Sequence, residues 1–338
     1  MDSFLRRIRA TTMTTASIRA AMMLAAIASF ELMTQPALAQ DYPSRPIRII
    51  SGSAAGGPTD LIARIIGERL STYWKVPVLV ENKPGGTGAV ALDIAAKSAP
   101  DGYTLVVGFT SANVIYPLLN DKLPFNAQED FTPIARATYG GTVLVVHPSV
   151  PVNNVKEFIA YVKSQPVPPN YGSWGNGSGG HLSGELMKTL TGIDMIHVPY
   201  RSTTALAVDM VGGHMLLGVL DASNTMAQVK AGKLRAIGIT GPQRVRGMPD
   251  LPTMREQGVD FGIGIFTGIL GPANMPPPIV EKLNAEIVRI LNEPEDREKF
   301  LTLLGDYPAP TSAAEFDKLI KDEHTVWKRV ISEGKIRL

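Results

Sequence analysis

Short apolar runs and amphipathic stretches alternate along most of the chain. Residues 47–50, 104–107 and 142–146 have the length and β-branched content of buried strands. After the first run, five apolar residues recur at helical spacing: Leu61, Ile62, Ile65, Ile66 and Leu70. Further strand-like runs lie at residues 76–80, 195–198, 215–220 and 236–240. Spacings of roughly 20 to 40 residues between strands indicate βα units and largely parallel sheets.

The C-terminal part of the chain predicts two long helices. One follows Pro276-Pro277-Pro278, and the other opens with the capping box Ser312-x-x-Glu315. The chain of 338 residues is long enough for two domains, but no linker divides it. We therefore expect two α/β domains between which the chain crosses more than once, near residues 140 and 262.

Residues 1–39 have the pattern of a secretory signal peptide. Four arginines precede an apolar run at residues 20–30, and Ala37-Leu38-Ala39 forms a small-residue cleavage site. The run is shorter than the about 20 residues of a membrane-spanning helix, and Glu31 interrupts it. We predict cleavage after Ala39 and a periplasmic location.

Charge and cysteine content narrow the class of protein. The whole chain carries a formal charge of +2, and the signal peptide also carries +2, because its four arginines face only Asp2 and Glu31. The mature chain is therefore neutral, which argues against nucleic acid or an anionic membrane as a partner. The chain has no cysteine, which excludes a lipoprotein anchor and fits a periplasmic protein with a large core.

Two glycine-rich segments follow predicted strands and precede predicted helices. The first glycine loop (residues 51–60) places Pro58 where the first helical turn would begin. The N–H groups at such a helix start lack intrahelical partners and can face an anion. The second glycine loop (residues 81–88) can bring further backbone donors to the same place. Either loop can instead be an ordinary turn.

A third glycine loop (residues 174–181) matches the dinucleotide pattern G-x-G-x-x-G at Gly175, Gly177 and Gly180. An exported protein meets no pool of free NAD, so we interpret the loop as a general anion-binding turn before a helix. Ser178 would add a hydroxyl donor. We predict that this loop holds one carboxylate of a ligand.

Catalytic and metal-binding patterns are weak in the sequence. It contains no G-x-S-x-G elbow and no H-E-x-x-H motif. His181 and Glu185 have the spacing of a ligand pair on a helix, but two ligands do not make a metal site. Asp221 ends a predicted strand, where it would either contact a ligand or cap the next helix.

Several motifs spread over nearly the whole mature chain carry a family resemblance. They include Gly56-Gly57-Pro58-Thr59-Asp60, Val80-Glu81-Asn82-Lys83-Pro84-Gly85, Ala99-Pro100-Asp101-Gly102-Tyr103, His181-Leu182-Ser183-Gly184-Glu185 and His197-Val198-Pro199-Tyr200. In combination they resemble the tripartite tricarboxylate transporter solute-binding proteins, often called Bug receptors.

The resemblance implies a type II periplasmic-binding fold, in which two α/β lobes close on a ligand. We expect lobe 1 to comprise residues 40–140 and 262–338, and lobe 2 residues 141–261. The resemblance also implies a monomer that delivers a small di- or tricarboxylate or aromatic acid to a two-subunit membrane permease. We expect no cofactor, no metal and no nucleic-acid partner.

Residues from the glycine loops and the following strand ends make up the predicted ligand site. They are Ser53, Ala54, Ala55, Gly56, Thr59, Gly86, Thr87, Thr110, Ser111, Trp174, Gly175, Asn176, Gly177, Ser178, His181, Tyr200, Asp221 and Phe266. Trp174 and Thr267 depart from the family pattern, which has a small residue and a phenylalanine there. One hypothesis is therefore an aromatic carboxylate stacked on Trp174; the alternative is that Trp174 packs on the lobe surface.

Two other classes of function remain open at this point. A receptor that docks on a membrane signalling kinase needs the same closing cleft as a transport receptor. An α/β hydrolase is a further alternative, although we identify no nucleophile–base arrangement in the sequence.

Overall fold

The computed structural model describes residues 42–334 and 336–337. The predicted signal peptide and its cleavage site at Ala39 lie outside the described residues. From Arg45 onward the chain forms one compact unit.

Two five-stranded sheets form the framework of this unit. Sheet A has the strand order β2-β1-β3-β10-β4, and sheet B has the order β7-β6-β8-β5-β9. The strands are β1 Ile47–Ser51, β2 Val78–Asn82, β3 Thr104–Phe109, β4 Phe131–Gly140, β5 Val143–Val146, β6 Asn170–Ser173, β7 Ile196–Pro199, β8 Leu217–Leu220, β9 Arg235–Ile239 and β10 Ile265–Pro272.

Both sheets are mixed, so the expectation of largely parallel sheets is wrong. Strand β1 pairs in parallel with β2 and β3, and β6 pairs in parallel with β7 and β8. In contrast, β10 is antiparallel to β3 and β4, and β5 is antiparallel to β8 and β9. The reason is topological: β5 is the strand by which the chain first enters sheet B, and β10 is the strand by which it returns to sheet A. Each of them runs opposite to the other four strands of its sheet.

Helices follow most of the strands. They are α1 Pro58–Trp74, α2 Ala89–Ala96, α3 Tyr116–Leu119, α4 Val155–Ser164, α5 Gly179–Thr191, α6 Thr203–Val211, α7 Ala222–Lys230, α8 Pro277–Asn292, α9 Pro294–Leu304 and α10 Ala313–Glu333. A π-helical turn, Ser111–Ile115, precedes α3. None of the helices in the described part is long and apolar enough to cross a membrane.

The core of sheet A is closed by the C-terminal helix. Helix α10 packs against β4, and its residues Phe316 and Trp327 are buried in one cluster with Phe266 of β10. The predicted capping box is confirmed, because Ser312 Oγ accepts from Glu315 N while Glu315 accepts from Ser312 N. Helix α1 packs on β1 and β2 and contacts α8 and α9.

Sheet B is covered on both faces. The two faces of β5 bury alternate residues: Leu144 and Val146 pack in a cluster with α4 and α5, whereas Val143 and Val145 pack in a cluster with α6 and α7. Because both faces of β5 are buried, its sequence is a continuous apolar run.

Candidate functional site

A cleft of about 1200 Å³ is lined by loops and strand ends of both sheets. The first turns of α1, α6 and α7 reach its wall, together with the loop that precedes α5. Helix N-termini carry partial positive charge and N–H groups without intrahelical partners. The cleft is therefore suited to an anion even though residues 40–338 carry no net formal charge.

The first glycine loop is held by its own side chains. Ser53 Oγ accepts from Asp60 N at 3.2 Å and from Thr59 Oγ1 at 2.7 Å. These hydroxyls therefore shape the loop. In the described chain, no group accepts a hydrogen bond from the exposed N–H groups of Ala54 and Ala55, which line the cleft. They remain available to a ligand.

The second glycine loop approaches the segment after β3 closely. A Cβ on Gly88 would lie 2.7 Å from the Phe109 ring and 2.9 Å from Ala112 Cβ, and its φ of +93° favours glycine. From this position Thr87 Oγ1 donates to Asn176 O at 3.0 Å. The bond joins the second and third glycine loops across the cleft.

The third glycine loop satisfies most of its N–H groups within the protein. Gly177 N donates to His181 Nδ1 at 3.2 Å, and Gly179 N donates to Ser111 Oγ at 2.8 Å. Ser178 is fully buried and caps α5, because its Oγ accepts from His181 N at 3.1 Å. This placement corrects the expectation that the Ser178 hydroxyl faces the ligand: the helix start uses it.

A buried histidine pair supports the third glycine loop from behind. The rings of His181 and His197 stack with centroids 4.0 Å apart, and His197 Nε2 lies 2.7 Å from Ser173 Oγ. Burial lowers the pKa of both histidines, that of His197 to about 3. Neutral His181 can therefore accept from Gly177 N at ordinary pH.

Trp174 lies on the cleft wall, half-buried against the start of α5. A Cβ on Gly180 would lie 2.6 Å from the indole ring, so the ring packs directly on this glycine. The ring thus covers part of the helix start and presents its remaining surface to the cleft. It is a cleft residue, not one confined to the outer surface of the protein.

Charged side chains are few on the cleft wall. Arg201 is the single lysine or arginine among the lining residues of the described chain, beside Asp209, Asp221 and Asp306. Asp221 caps α7 by accepting from Asn224 N at 2.8 Å, which confirms one of the two roles considered for it; it also lines the cleft, and its contact with a ligand stays a prediction. Burial and a 2.8 Å hydrogen bond to Asp209 raise the pKa of Tyr200 to about 12, so its hydroxyl stays protonated.

A family model described as "Tripartite tricarboxylate transporter family receptor" matches residues 62–336. The chain belongs to this receptor family. The predicted resemblance is thereby confirmed.

Solved structures similar to this receptor include several periplasmic binding proteins. Periplasmic binding protein BugD is 28% identical with a TM-score of 0.79, covering 88% of this chain and 99% of BugD. R. palustris Rpa4515 with adipate is 28% identical with a TM-score of 0.83, covering 88% and 99%. MatC from Rhodopseudomonas palustris with bound malate is 31% identical with a TM-score of 0.79, covering 86% and 100%. They confirm the predicted two-lobed α/β fold class.

The cleft of the receptor brings together most of the predicted site residues. Gly56, Gly177, Ser178 and His181 do not line it, and Gly56 instead donates its N–H to Asp60 at 2.8 Å. The hydroxyl of Thr110 accepts from Phe266 N at 2.7 Å. The predicted residues that line the cleft are Ser53, Ala54, Ala55, Thr59, Gly86, Thr87, Thr110, Ser111, Trp174, Gly175, Asn176, Tyr200, Asp221 and Phe266.

Other residues of the receptor's cleft were not in the predicted set. They include Thr138, Tyr139, Arg201, Thr203, Thr204, Thr267 and Tyr307. Arg201, Thr203 and Thr204 follow a strand end, a position that could have pointed to them. Tyr307 follows α9 and reaches the cleft through tertiary packing, so no local pattern indicates it.

Both members of the His181–Glu185 pair, which has the spacing of metal ligands, are engaged by neighbouring protein groups. Glu185 accepts from Tyr171 Oη at 2.9 Å and pairs with Lys188 at 3.1 Å, while His181 Nδ1 accepts from Gly177 N. Within residues 42–334, no cluster of three or more histidine, aspartate or glutamate side chains is arranged to hold a metal ion.

Tyr139 links the cleft wall to a buried carboxyl group. Its Oη donates to Glu323 Oε1 at 3.3 Å, and Trp327 Nε1 donates to Glu323 Oε2 at 2.7 Å. Glu323 is 5% exposed, and burial raises its pKa to about 7 despite these two hydrogen bonds.

The raised pKa of Glu323 predicts a measurable pH dependence. As pH rises from about 4.5 to about 7, the folded protein retains a proton that the unfolded chain releases, so stability should fall. Glu323→Gln cannot titrate and should remove this decline, which amounts to at most about 3 kcal/mol at about 1.4 kcal/mol per pKa unit. Urea unfolding of both proteins between about pH 5 and 8 measures it; parallel stability curves would contradict the prediction.

Proposed function

We propose that this receptor captures a small organic carboxylate in the cleft and delivers it to a membrane permease. The observation that carries the proposal is the unengaged N–H pair of the exposed residues Ala54 and Ala55, in the loop that precedes α1. Such donors hold an anion without any counter-charge on the protein. Similar structures with adipate and malate support a carboxylate as the ligand.

The ligand is released unchanged in this proposal. Binding draws the two lobes together, and release follows when they open. We place the lobe boundaries in the two connecting segments, near residues 140 and 262. The topology supports this placement, because β4 ends at Gly140, β5 begins at Val143, and β10 begins at Ile265.

The location and the partner follow from the same proposal. Cleavage after Ala39 would release a soluble monomer into the periplasm, where a two-subunit permease receives the ligand. Family membership supports a membrane transporter as the partner. A pull-down of the membrane partner, followed by its identification by mass spectrometry, would distinguish a permease from a signalling kinase.

Thermal denaturation with a panel of carboxylates tests the proposed function. Adipate, malate, citrate and benzoate cover the aliphatic and aromatic classes. A ligand at a hundredfold excess over its Kd should stabilise the protein by about 2.7 kcal/mol, because it binds only the folded state. Stabilisation by benzoate rather than by the aliphatic acids would support stacking on Trp174. A panel in which no acid shifts the melting temperature would contradict carboxylate capture.

A further inference from the structure

Arg201 lies where the chain leaves β7 and enters α6, on the wall of the cleft. The backbone is fixed on both sides of it. Tyr200 N donates to Ser173 O at 2.9 Å, and Ser202 Oγ caps α6 by accepting from Ala205 N at 3.1 Å. The Tyr200 carbonyl oxygen lies 3.7 Å from the position of a Cβ on Gly175. The exposed Arg201 side chain therefore starts from a fixed point beside the third glycine loop.

The guanidinium of Arg201 is not engaged by the protein. Across residues 42–334 and 336–337, no side chain or carbonyl group accepts a hydrogen bond from it or forms an ion pair with it. The carboxylates on the cleft wall have other partners: Asp209 accepts from Tyr200 Oη, Asp221 from Asn224 N and Asp306 from Tyr307 N. An arginine held at a binding cleft without a protein partner is available to a ligand.

The cleft thus offers two different kinds of donor to an anion. In the loop that precedes α1, Ala54 and Ala55 present neutral N–H groups. On the wall formed by sheet B, Arg201 presents a planar, charged fork that matches a carboxylate in bidentate geometry. A ligand with two acidic groups could use both kinds of donor.

We propose that Arg201 is a specificity-determining residue that binds a second acidic group of the ligand. The inference rests on the proposed function, because it assigns the first carboxylate to the glycine loops. The receptor then prefers dianions to monoanions of equal length. Since Arg201 is exposed, the preference should weaken as salt is added.

Calorimetry with acids of matched length tests this role. Adipate and hexanoate share a six-carbon chain and differ in one carboxylate. Wild-type protein should bind adipate more tightly than hexanoate. Arg201→Gln should weaken adipate binding by about 10- to 100-fold, the range for a lost hydrogen-bonded charge, and change hexanoate binding by less than about threefold. Arg201→Lys keeps the charge and loses the planar fork, so its affinity for adipate should lie between those of wild type and Arg201→Gln.

The control variant is Lys230→Gln, which removes one positive charge from the exposed end of α7, away from the cleft lining. It should leave both affinities unchanged. Equal adipate binding by wild type and Arg201→Gln would overturn the inference, as would equal weakening of adipate and hexanoate. Tight binding of a monoanion alone would overturn it while leaving carboxylate capture intact. Failure of every carboxylate to bind wild type would instead reject the proposed function itself.

Discussion

Replacing Gly141 with alanine should destabilise the protein by about 3 kcal/mol, because two backbones touch at this residue. A Cβ there would lie 2.1 Å from Gly241 N and 2.6 Å from Gly241 Cα. Backbone atoms cannot rotate away as a side chain can, and overpacking of this kind costs about 1–3 kcal/mol or more.

The neighbouring residues keep the two backbones from separating. Thr142 N donates to Thr240 Oγ1 at 2.9 Å, and Thr240 N donates to Thr142 O at 2.9 Å. Both threonines are buried. Because Gly141 also lines the cleft, its replacement should weaken ligand binding as well.

Gly140→Ala is the matched control for this prediction. The two glycines are adjacent and both line the cleft, but a Cβ on Gly140 would have no atom within 4 Å. Its substitution should leave stability within about 1 kcal/mol of wild type. Equilibrium urea unfolding compares the three proteins. Equal midpoints for the two variants would show that the Gly141–Gly241 contact is not a steric constraint.

Asp60→Ala should cost about 2–4 kcal/mol and weaken ligand binding, because Asp60 organises the first glycine loop. The carboxylate is 1% exposed and accepts from Gly56 N and from Asn82 Nδ2, each at 2.8 Å. It also pairs with Arg64 at 2.9 Å. Its removal leaves Gly56 N without an acceptor and takes one of two acceptors from Asn82 Nδ2, directly beside Ala54 and Ala55.

The pH dependence of Asp60→Ala provides a second readout. Burial opposes ionisation of Asp60, but hydrogen bonds from Arg64, Gly56 and Asn82 outweigh it and lower the pKa below 3.8. The stabilisation is therefore present above that pH and is lost as pH falls through the lowered pKa. The variant should consequently lose less stability than wild type on acidification.

Asp322→Ala serves as the control for removal of a carboxylate. Asp322 pairs with Lys318 on the exposed face of α10, where the two side chains are 59% and 75% exposed. Such pairs contribute about 0.3–0.5 kcal/mol. Unfolding and calorimetry of both variants measure the difference. If Asp60→Ala behaved like Asp322→Ala, the buried network would have no organising role.

Local patterns predicted the strands that are apolar along their length and the helices that are amphipathic. They missed β4, β6 and β10. Strand β4 contains Pro133 and Arg136, β6 is a four-residue segment with one large apolar side chain, and β10 is interrupted by Gly268 and Gly271. These strands form because they pair with segments distant in the chain, as β10 does with β3. Their register depends on tertiary contacts, which no local window contains.

The sequence by itself determined the receptor family to which the chain belongs, the absence of net charge from residues 40–338, and the position of three glycine loops before helices. The spacing of apolar residues, the turn residues and the motifs are all visible in the sequence without knowing which distant segments come into contact. Only the tertiary structure decided which N–H groups remain for a ligand. In the folded protein, Ser178 and most N–H groups of the third glycine loop form hydrogen bonds within the protein. Ala54 and Ala55 are exposed, and Arg201 lies on the cleft wall without a partner among the described residues. A donor is available only if no distant acceptor reaches it, and folding brings those acceptors into place.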